Sequence, residues 1–98
     1  TIRDYRAAIK SNDNFIANFP GTKFREEALY TKFISLYEIA INSVIYKKED
    51  RLNELQQQFN LILRYYPDTV FKEDMDNKMK KINFELEKFN TTTVNLIK

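Results

Sequence analysis

The chain has 98 residues, of which 43% are hydrophobic and 31% are charged, and its formal net charge is +2. This composition is typical of one small globular domain rather than a disordered segment. The small net charge gives no support to nucleic-acid binding, which requires a concentrated basic face. The sequence contains no histidine and no cysteine, so it lacks the residues of the usual nucleophile triads and zinc sites. We therefore expect no enzymatic activity and no cofactor.

No run of apolar residues approaches the roughly 18 that a membrane-spanning helix requires, and no secretory signal is visible. The first residues have the character of a helix start and lack an initiator methionine, so we expect the chain to be a fragment of a longer protein. Because there is no cysteine, any lipid anchor would lie outside these residues. Contact with a membrane is expected only through such an anchor.

One glycine and two prolines predict a few long helices rather than many tight turns. Apolar residues recur at helical spacing in four segments. The first segment ends at Pro20, the second extends from residue 23 to about 46, and the third ends at Pro67. The fourth carries an apolar stripe at Phe71, Met75, Met79, Ile82, Leu86 and Phe89. Each proline disfavours helical geometry in the residue before it, so both prolines mark helix ends. The boundary between the second and third segments is placed at residues 47–50.

The first and third segments are copies of one another at a spacing of 47 residues. This shift places apolar residues on apolar residues, Pro20 on Pro67 and Thr22 on Thr69. In both copies the threonine stands where a helix N-cap belongs, so we predict that Thr22 and Thr69 cap the helices that follow. A repeated unit of this kind is typical of a stacked helical solenoid, and the alternative is a plain four-helix bundle with a chance match.

The spacing within the repeat follows the tetratricopeptide pattern, in which a small residue, an aromatic, a small residue and a proline recur in the second helix of each unit. The pattern falls on Ala8, Asn12, Phe15 and Pro20, and Asn12 departs from it in residue type. In this register the chain opens on the second helix of one repeat and contains one complete repeat at residues 23–67. It then ends on a helix with a polar outer face, which a solenoid cap requires.

We therefore predict one domain over residues 1–90, followed by a tail at residues 91–98. The fold class is all-α, with tetratricopeptide-like helical hairpins in a right-handed solenoid of about four helices and a polar capping helix at the C-terminal end. The complete repeat is about 13 residues longer than the usual 34. Its hairpin is therefore expected to project past its neighbours.

The segment from Phe19 to Tyr30, Phe-Pro-Gly-Thr-Lys-Phe-Arg-Glu-Glu-Ala-Leu-Tyr, resembles a turn of the BamD family of outer-membrane assembly lipoproteins. A second copy, Tyr-Tyr-Pro-Asp-Thr, stands at residues 65–69, and the long hairpin between the two turns is similar to one in this family. The resemblance covers most of residues 3–89. It implies a lipoprotein scaffold on the periplasmic face of the outer membrane. The implied partners are the periplasmic domains of the β-barrel assembly subunit and other assembly lipoproteins.

Two other functions stay open. The chain could be a different periplasmic tetratricopeptide-type adaptor, serving the cell envelope or cell wall. It could also be a helical structural module that associates with itself through the exposed face of its first helix. The acidic pairs Glu26-Glu27 and Glu73-Asp74 each follow a helix start, so we expect them to complement the helix dipole and not to form a catalytic or metal site.

Six residues are candidates for partner binding: Tyr30, Tyr37, Tyr46, Lys47, Lys48 and Arg51. The first two lie on a second apolar stripe of the second helix, where they either pack between two neighbouring helices or line a groove. Aromatic side chains are favoured anchors at protein interfaces. The other four group an aromatic ring with three cations at the expected end of the hairpin. That group is either a solvated turn or a docking point.

Overall fold

The computed structural model describes the backbone of residues 1–97 and the side chains of residues 1–44 and 46–87. The chain forms four helices, α1 (Ile2–Asn18), α2 (Arg25–Ile41), α3 (Ile45–Tyr65) and α4 (Lys72–Ile97). No strand occurs over residues 1–97, so the all-α prediction is confirmed. None of the four helices has both the length and the apolar content needed to cross a bilayer, over the part of the chain that is described.

Helix α2 is the centre of the domain because it packs on all three other helices. It packs extensively on α1 and α3 and more sparsely on α4. This central position explains why α2 is apolar over most of its circumference. The largest fully buried side chains come from three helices and are Phe33, Ile39, Leu55, Ile62, Met75 and Ile82. One buried polar contact joins α2 to α3, since the amide of Gln58 donates to the carbonyl of Leu29 at 3.0 Å.

The turns at residues 19–24 (the first turn) and 66–71 (the second turn) have the same hydrogen bonds. In each turn the first residue donates its N–H back to the preceding helix, from Phe19 to Phe15 and from Tyr66 to Ile62. The threonine N–H then bonds to the carbonyl of that first residue, at 3.1 Å in both turns. The two turns are thus one structural unit repeated after 47 residues, as the sequence predicts.

The two threonines do not act as N-caps, and that prediction is wrong. The N-cap residue of α2 is Phe24, which makes no side-chain capping bond. The hydroxyl of Thr22 instead accepts from the N–H of Phe24 at 3.2 Å, and Thr69 accepts from Phe71 at 3.3 Å. The hydroxyl of each threonine therefore closes a short turn with the backbone N–H two residues later. That N–H belongs to the residue just before the helix, so the bond gives it a partner.

Helix α2 ends at Ile41 and the hairpin turn lies at residues 42–44, several residues before the predicted boundary. Asn42 donates its side-chain amide to the carbonyl of Glu38 at 2.8 Å, and the hydroxyl of Ser43 donates to the carbonyl of Ile39. The two side chains thus donate hydrogen bonds to two of the last carbonyl oxygens of α2, so the helix ends without glycine or proline. The predicted boundary at 47–50 is wrong, because those residues lie in the first turns of α3.

Helix α4 follows the hairpin along its length. Its predicted apolar stripe is confirmed at Met75, Met79 and Ile82, which are buried, and Phe89 lies outside the described side chains. Glu85 of α4 pairs with Lys48 at the start of α3, at 3.7 Å. The predicted projection of the hairpin past its neighbours is therefore wrong on the α4 side. The backbone of α4 continues through residues 91–97, and the division of the chain at residue 90 stays a prediction.

Candidate partner-binding surfaces

The hairpin tip, formed by residues 44–51, contains four of the six candidate residues. The side chain of Tyr46 is 78% exposed and that of Val44 is 53% exposed, and Lys47 is exposed beside them. An exposed aromatic and an exposed aliphatic side chain therefore stand next to a cation at the start of α3. These three side chains are open to a partner.

The other two cations of the tip are engaged within the domain. The guanidinium of Arg51 donates to the hydroxyl of Ser43 at 3.1 Å, and that hydroxyl is itself bonded to the end of α2. The ammonium group of Lys48 pairs with Glu85, and the Lys48 side chain is only 13% exposed. Arg51 and Lys48 therefore hold the shape of the tip, whereas Tyr46 and Lys47 form its accessible face.

Tyr30 lies between α2 and α4 and is not on an open groove. Its hydroxyl donates a hydrogen bond to the carboxylate of Asp74. Its ring stacks on Phe71 with the ring centroids 4.0 Å apart and the planes within 5° of parallel. Burial, together with the bond to Asp74, raises the pKa of Tyr30 to about 12. Tyr30 thus connects the second turn to α2, the central helix of the domain.

Asp74 is shared between Tyr30 and a cation of its own helix. The ammonium group of Lys78 lies 2.8 and 2.9 Å from the two carboxylate oxygens of Asp74. Lys78 and the Tyr30 hydroxyl hold the pKa of Asp74 below its usual value. The same ammonium group lies 5.7 Å from the ring centroid of Tyr37. Since Tyr37 is only 5% exposed, it belongs to the core with Lys78 above it.

The structure therefore divides the six candidate residues into separate locations. Tyr30 and Tyr37 pack between helices, as the first of their two interpretations predicts. The tip residues lie at the other end of α2 from Tyr30, and the two sets do not form one site. Partner binding by any of the six stays a prediction.

An apolar surface at the first turn was not predicted. Phe19 is 59% exposed and Phe24 is 50% exposed, and together with Phe15, Gly21 and Thr22 they line an open groove of about 470 Å³. The rings of Phe15 and Phe19 pack at a centroid distance of 5.6 Å. The three phenylalanines were visible in the sequence as part of the repeat. Their exposure could not be read from the repeat, because the equivalent residues of the second turn are more buried.

A second groove, of about 410 Å³, lies between α1, α2 and α3. Two ion pairs cross it, from Arg6 to Glu54 at 3.2 Å and from Lys32 to Asp13 at 2.9 Å. The four charges compensate one another, so the groove has no excess charge that would select a ligand. Its polar lining is explained by the packing of the three helices.

The described residues contain no cluster of three or more acidic side chains that could hold a metal ion. Without histidine or cysteine in the sequence, the surfaces described above offer no nucleophile activated by a neighbouring base. What they offer is exposed aromatic and aliphatic area next to charged groups. Such surfaces are suited to binding another protein.

Comparison with known protein families identifies a match. The family model described as YfiO, outer membrane lipoprotein, matches residues 1–96. No curated protein and no solved structure matches the chain significantly. Because the family model extends over nearly the whole sequence, and because the repeated turn motif and the all-helical fold agree with it, the chain belongs to the YfiO family of outer membrane lipoproteins, which is the BamD-like family that its turns resemble.

Proposed function

We propose that this chain is a protein-binding scaffold that works at the periplasmic face of the outer membrane, within the machinery that assembles β-barrel proteins. Membership of the YfiO family supports the location and the general role. The partners we propose are the periplasmic domains of the β-barrel assembly subunit and other assembly lipoproteins. The function that we propose is non-enzymatic, because no group of side chains on the described surfaces is arranged for catalysis.

The exposed face of the hairpin tip is the observation that most favours a docking role. Tyr46 is the most exposed aromatic side chain among the described residues, and Val44 and Lys47 stand beside it. Tyrosine is enriched among the residues that dominate binding energy at interfaces. A tip that is already held in shape loses less conformational entropy when it binds. The Arg51 bond to Ser43 and the Lys48 pair with Glu85 provide that rigidity.

The test is co-purification of the β-barrel assembly subunit with the natural full-length protein, extracted from membranes. The double variant Tyr46→Ala, Lys47→Glu removes the ring and reverses the charge of the accessible face. We expect it to reduce the recovered barrel subunit at least several-fold while its helical circular dichroism stays the same. A matched control is Phe84→Ala, Lys80→Glu, which makes the same kinds of change on the exposed face of α4.

Recovery of the barrel subunit by the tip variant at the wild-type level would rule out the tip as the docking face. A wild-type protein that recovers cell-wall proteins and no barrel subunit would favour the alternative, a different periplasmic adaptor. Equal losses with the tip variant and the α4 control would mean that general surface charge, and not the tip, governs recovery.

A further inference from the structure

Helix α3 begins without the local groups that stabilise the starts of the other helices. The first turns of α1, α2 and α4 each contain at least one acidic residue, which complements the positive end of the helix dipole. The first turn of α3 contains none, and its N-cap residue, Val44, makes no side-chain capping bond. That turn instead includes Lys47 and Lys48, two cations at the end of the helix where the dipole disfavours positive charge. The start of α3 is therefore weakly stabilised by its own residues.

Helix α4 provides the missing negative charge. Glu85 lies one turn beyond the buried Ile82, and its carboxylate is 3.7 Å from the ammonium group of Lys48. The Lys48 side chain is only 13% exposed, so water screens this attraction less than it would screen a fully exposed pair. Among the described residues no other carboxylate pairs with a cation of this turn. Glu85 thus takes the place that an acidic residue of the first turn has in the other three helices.

We infer that Glu85 stabilises the start of α3 through Lys48 and thereby couples the accessible face of the hairpin tip to α4. Tyr46 and Lys47 belong to the same first turn as Lys48, so a change that frays this turn also displaces them. In the other direction, Lys48 holds the part of α4 beyond Ile82, since α4 packs only sparsely on the rest of the domain. Because coupling between two sites is reciprocal, a partner that fixes the tip also fixes this part of α4. That consequence for binding rests on the proposed function, whereas the coupling within the chain does not.

Hydrogen–deuterium exchange of the natural full-length protein tests the coupling. Glu85→Gln removes the charge and keeps the size and the helix propensity of the side chain. We expect this variant to speed amide exchange by about threefold or more in two segments, residues 48–52 and residues 82–87, because loss of the ion pair shifts the opening equilibrium of both. The matched control is Glu87→Gln, which makes the same change at an exposed position of the same helix and should leave both segments unchanged.

A capping substitution provides a second test, which a general loss of stability would not pass. Val44 has an extended backbone, with φ −61° and ψ 151°, so Val44→Asp gives α3 a capping group of its own. In the Val44→Asp background we expect Glu85→Gln to have a much smaller effect on exchange at residues 48–52, while its effect at residues 82–87 remains. A variant that only destabilised the whole domain would speed exchange in both segments in either background.

Equal exchange in the Glu85→Gln and Glu87→Gln proteins at both segments would overturn the inference. So would faster exchange at residues 82–87 alone, since the tip would then be independent of α4. Recovery of the barrel subunit distinguishes this coupling from the proposed function. If the tip variant Tyr46→Ala, Lys47→Glu retains the subunit, the docking role of the tip fails, and the exchange rates still decide the coupling. If the tip is the docking face, we expect Glu85→Gln to lower recovery by less than the tip variant does, and Glu87→Gln to leave it unchanged.

Discussion

Tyr30 donates a hydrogen bond from its hydroxyl to Asp74, so that a side chain of α2 is tied directly to α4. The ring of Tyr30 also stacks on Phe71, in the turn that leads into α4. Helix α4 packs on the rest of the domain less extensively than the other helices do. A contact that combines stacking with a charge-assisted hydrogen bond is therefore important in holding α4 in place.

Replacing Tyr30 by phenylalanine keeps the ring and removes the hydrogen bond. We expect Tyr30→Phe to lower the free energy of unfolding by about 1.5 kcal/mol, the lower end of what a hydrogen bond to a charged group contributes. The cost stays moderate because Asp74 keeps its ion pair with Lys78 and is left with a partner. Urea denaturation followed by circular dichroism measures the difference.

The control for this change is Tyr46→Phe, which removes a hydroxyl from a side chain that is 78% exposed. The free energy of unfolding of that variant should lie within about 0.5 kcal/mol of the value for the original chain, as is usual for surface substitutions. Equal stability of the Tyr30→Phe variant and the original chain would show that the bond to Asp74 contributes nothing net.

The raised pKa of Tyr30 predicts a loss of stability in alkali. In the unfolded chain the Tyr30 phenol ionises near its ordinary pKa of 10.0, and in the folded chain it ionises near 12. Between these values the folded state binds more protons than the unfolded state, so stability falls as the pH rises. The contribution of Tyr30 is complete below about pH 10 and is lost as the pH passes through about 12.

Ultraviolet absorbance of the phenolate form checks this assignment. In an alkaline titration of the folded chain we expect one of the six tyrosines to ionise last, with a pKa near 12. That last step should be missing from Tyr30→Phe and unchanged in Tyr46→Phe. A late step that persists in the Tyr30→Phe variant would assign the raised pKa to a different tyrosine.

Because Arg51 bonds to Ser43, we expect a substitution at either residue to destabilise the hairpin turn. Ser43 is 8% exposed, and its hydroxyl connects the guanidinium of Arg51 with the carbonyl of Ile39. Ser43→Ala removes both hydrogen bonds, so we expect it to lower the free energy of unfolding by about 1–2 kcal/mol. Arg51→Met keeps the aliphatic part of the side chain and should cost less.

A double-mutant cycle distinguishes this role from a general surface effect. The combined variant Ser43→Ala, Arg51→Met should cost less than the sum of the two single changes, since both remove the same bond. Strict additivity of the two changes would show that the bond contributes nothing to the turn. Amide hydrogen exchange at residues 42–48 provides a local readout, because a weakened turn exchanges faster.

The helices and the core of this protein could be predicted from the sequence because local signals specify them. The helical spacing of Met75, Met79 and Ile82 predicts the buried stripe of α4, and the prolines at positions 20 and 67 predict two helix ends. The hairpin turn was misplaced because no glycine or proline marks it. It is produced by side-chain bonds from Asn42 and Ser43, and these residues also occur inside helices.

The candidate surfaces were less predictable because they depend on contacts between distant parts of the chain. Tyr30 and Tyr37 look alike in the sequence, yet Tyr30 bonds to a residue 44 positions away while Tyr37 lies beneath Lys78. Lys48 and Arg51 resemble Lys47 as exposed cations, but each of them has a partner within the domain. No local pattern identifies such partners.

Comparison of the two turns indicates that replacing Gly21 stabilises the protein. Its backbone does not adopt a positive φ, and a Cβ atom at this position would meet nothing within 4 Å. The equivalent residue of the second turn is Asp68, which has a side chain in the same backbone geometry. Gly21→Asp and Gly21→Ala should therefore raise the free energy of unfolding by about 0.4–1 kcal/mol, because they restrict the unfolded chain without straining the folded one.

Thermal and urea denaturation of the two Gly21 variants measures this gain, and the reverse change Asp68→Gly is the matched control. That control should lower the free energy of unfolding by a similar amount, since the two turns share their backbone hydrogen bonds. If both Gly21 variants had a lower free energy of unfolding and Asp68→Gly left it nearly unchanged, the two turns would differ in the conformational freedom of their backbones.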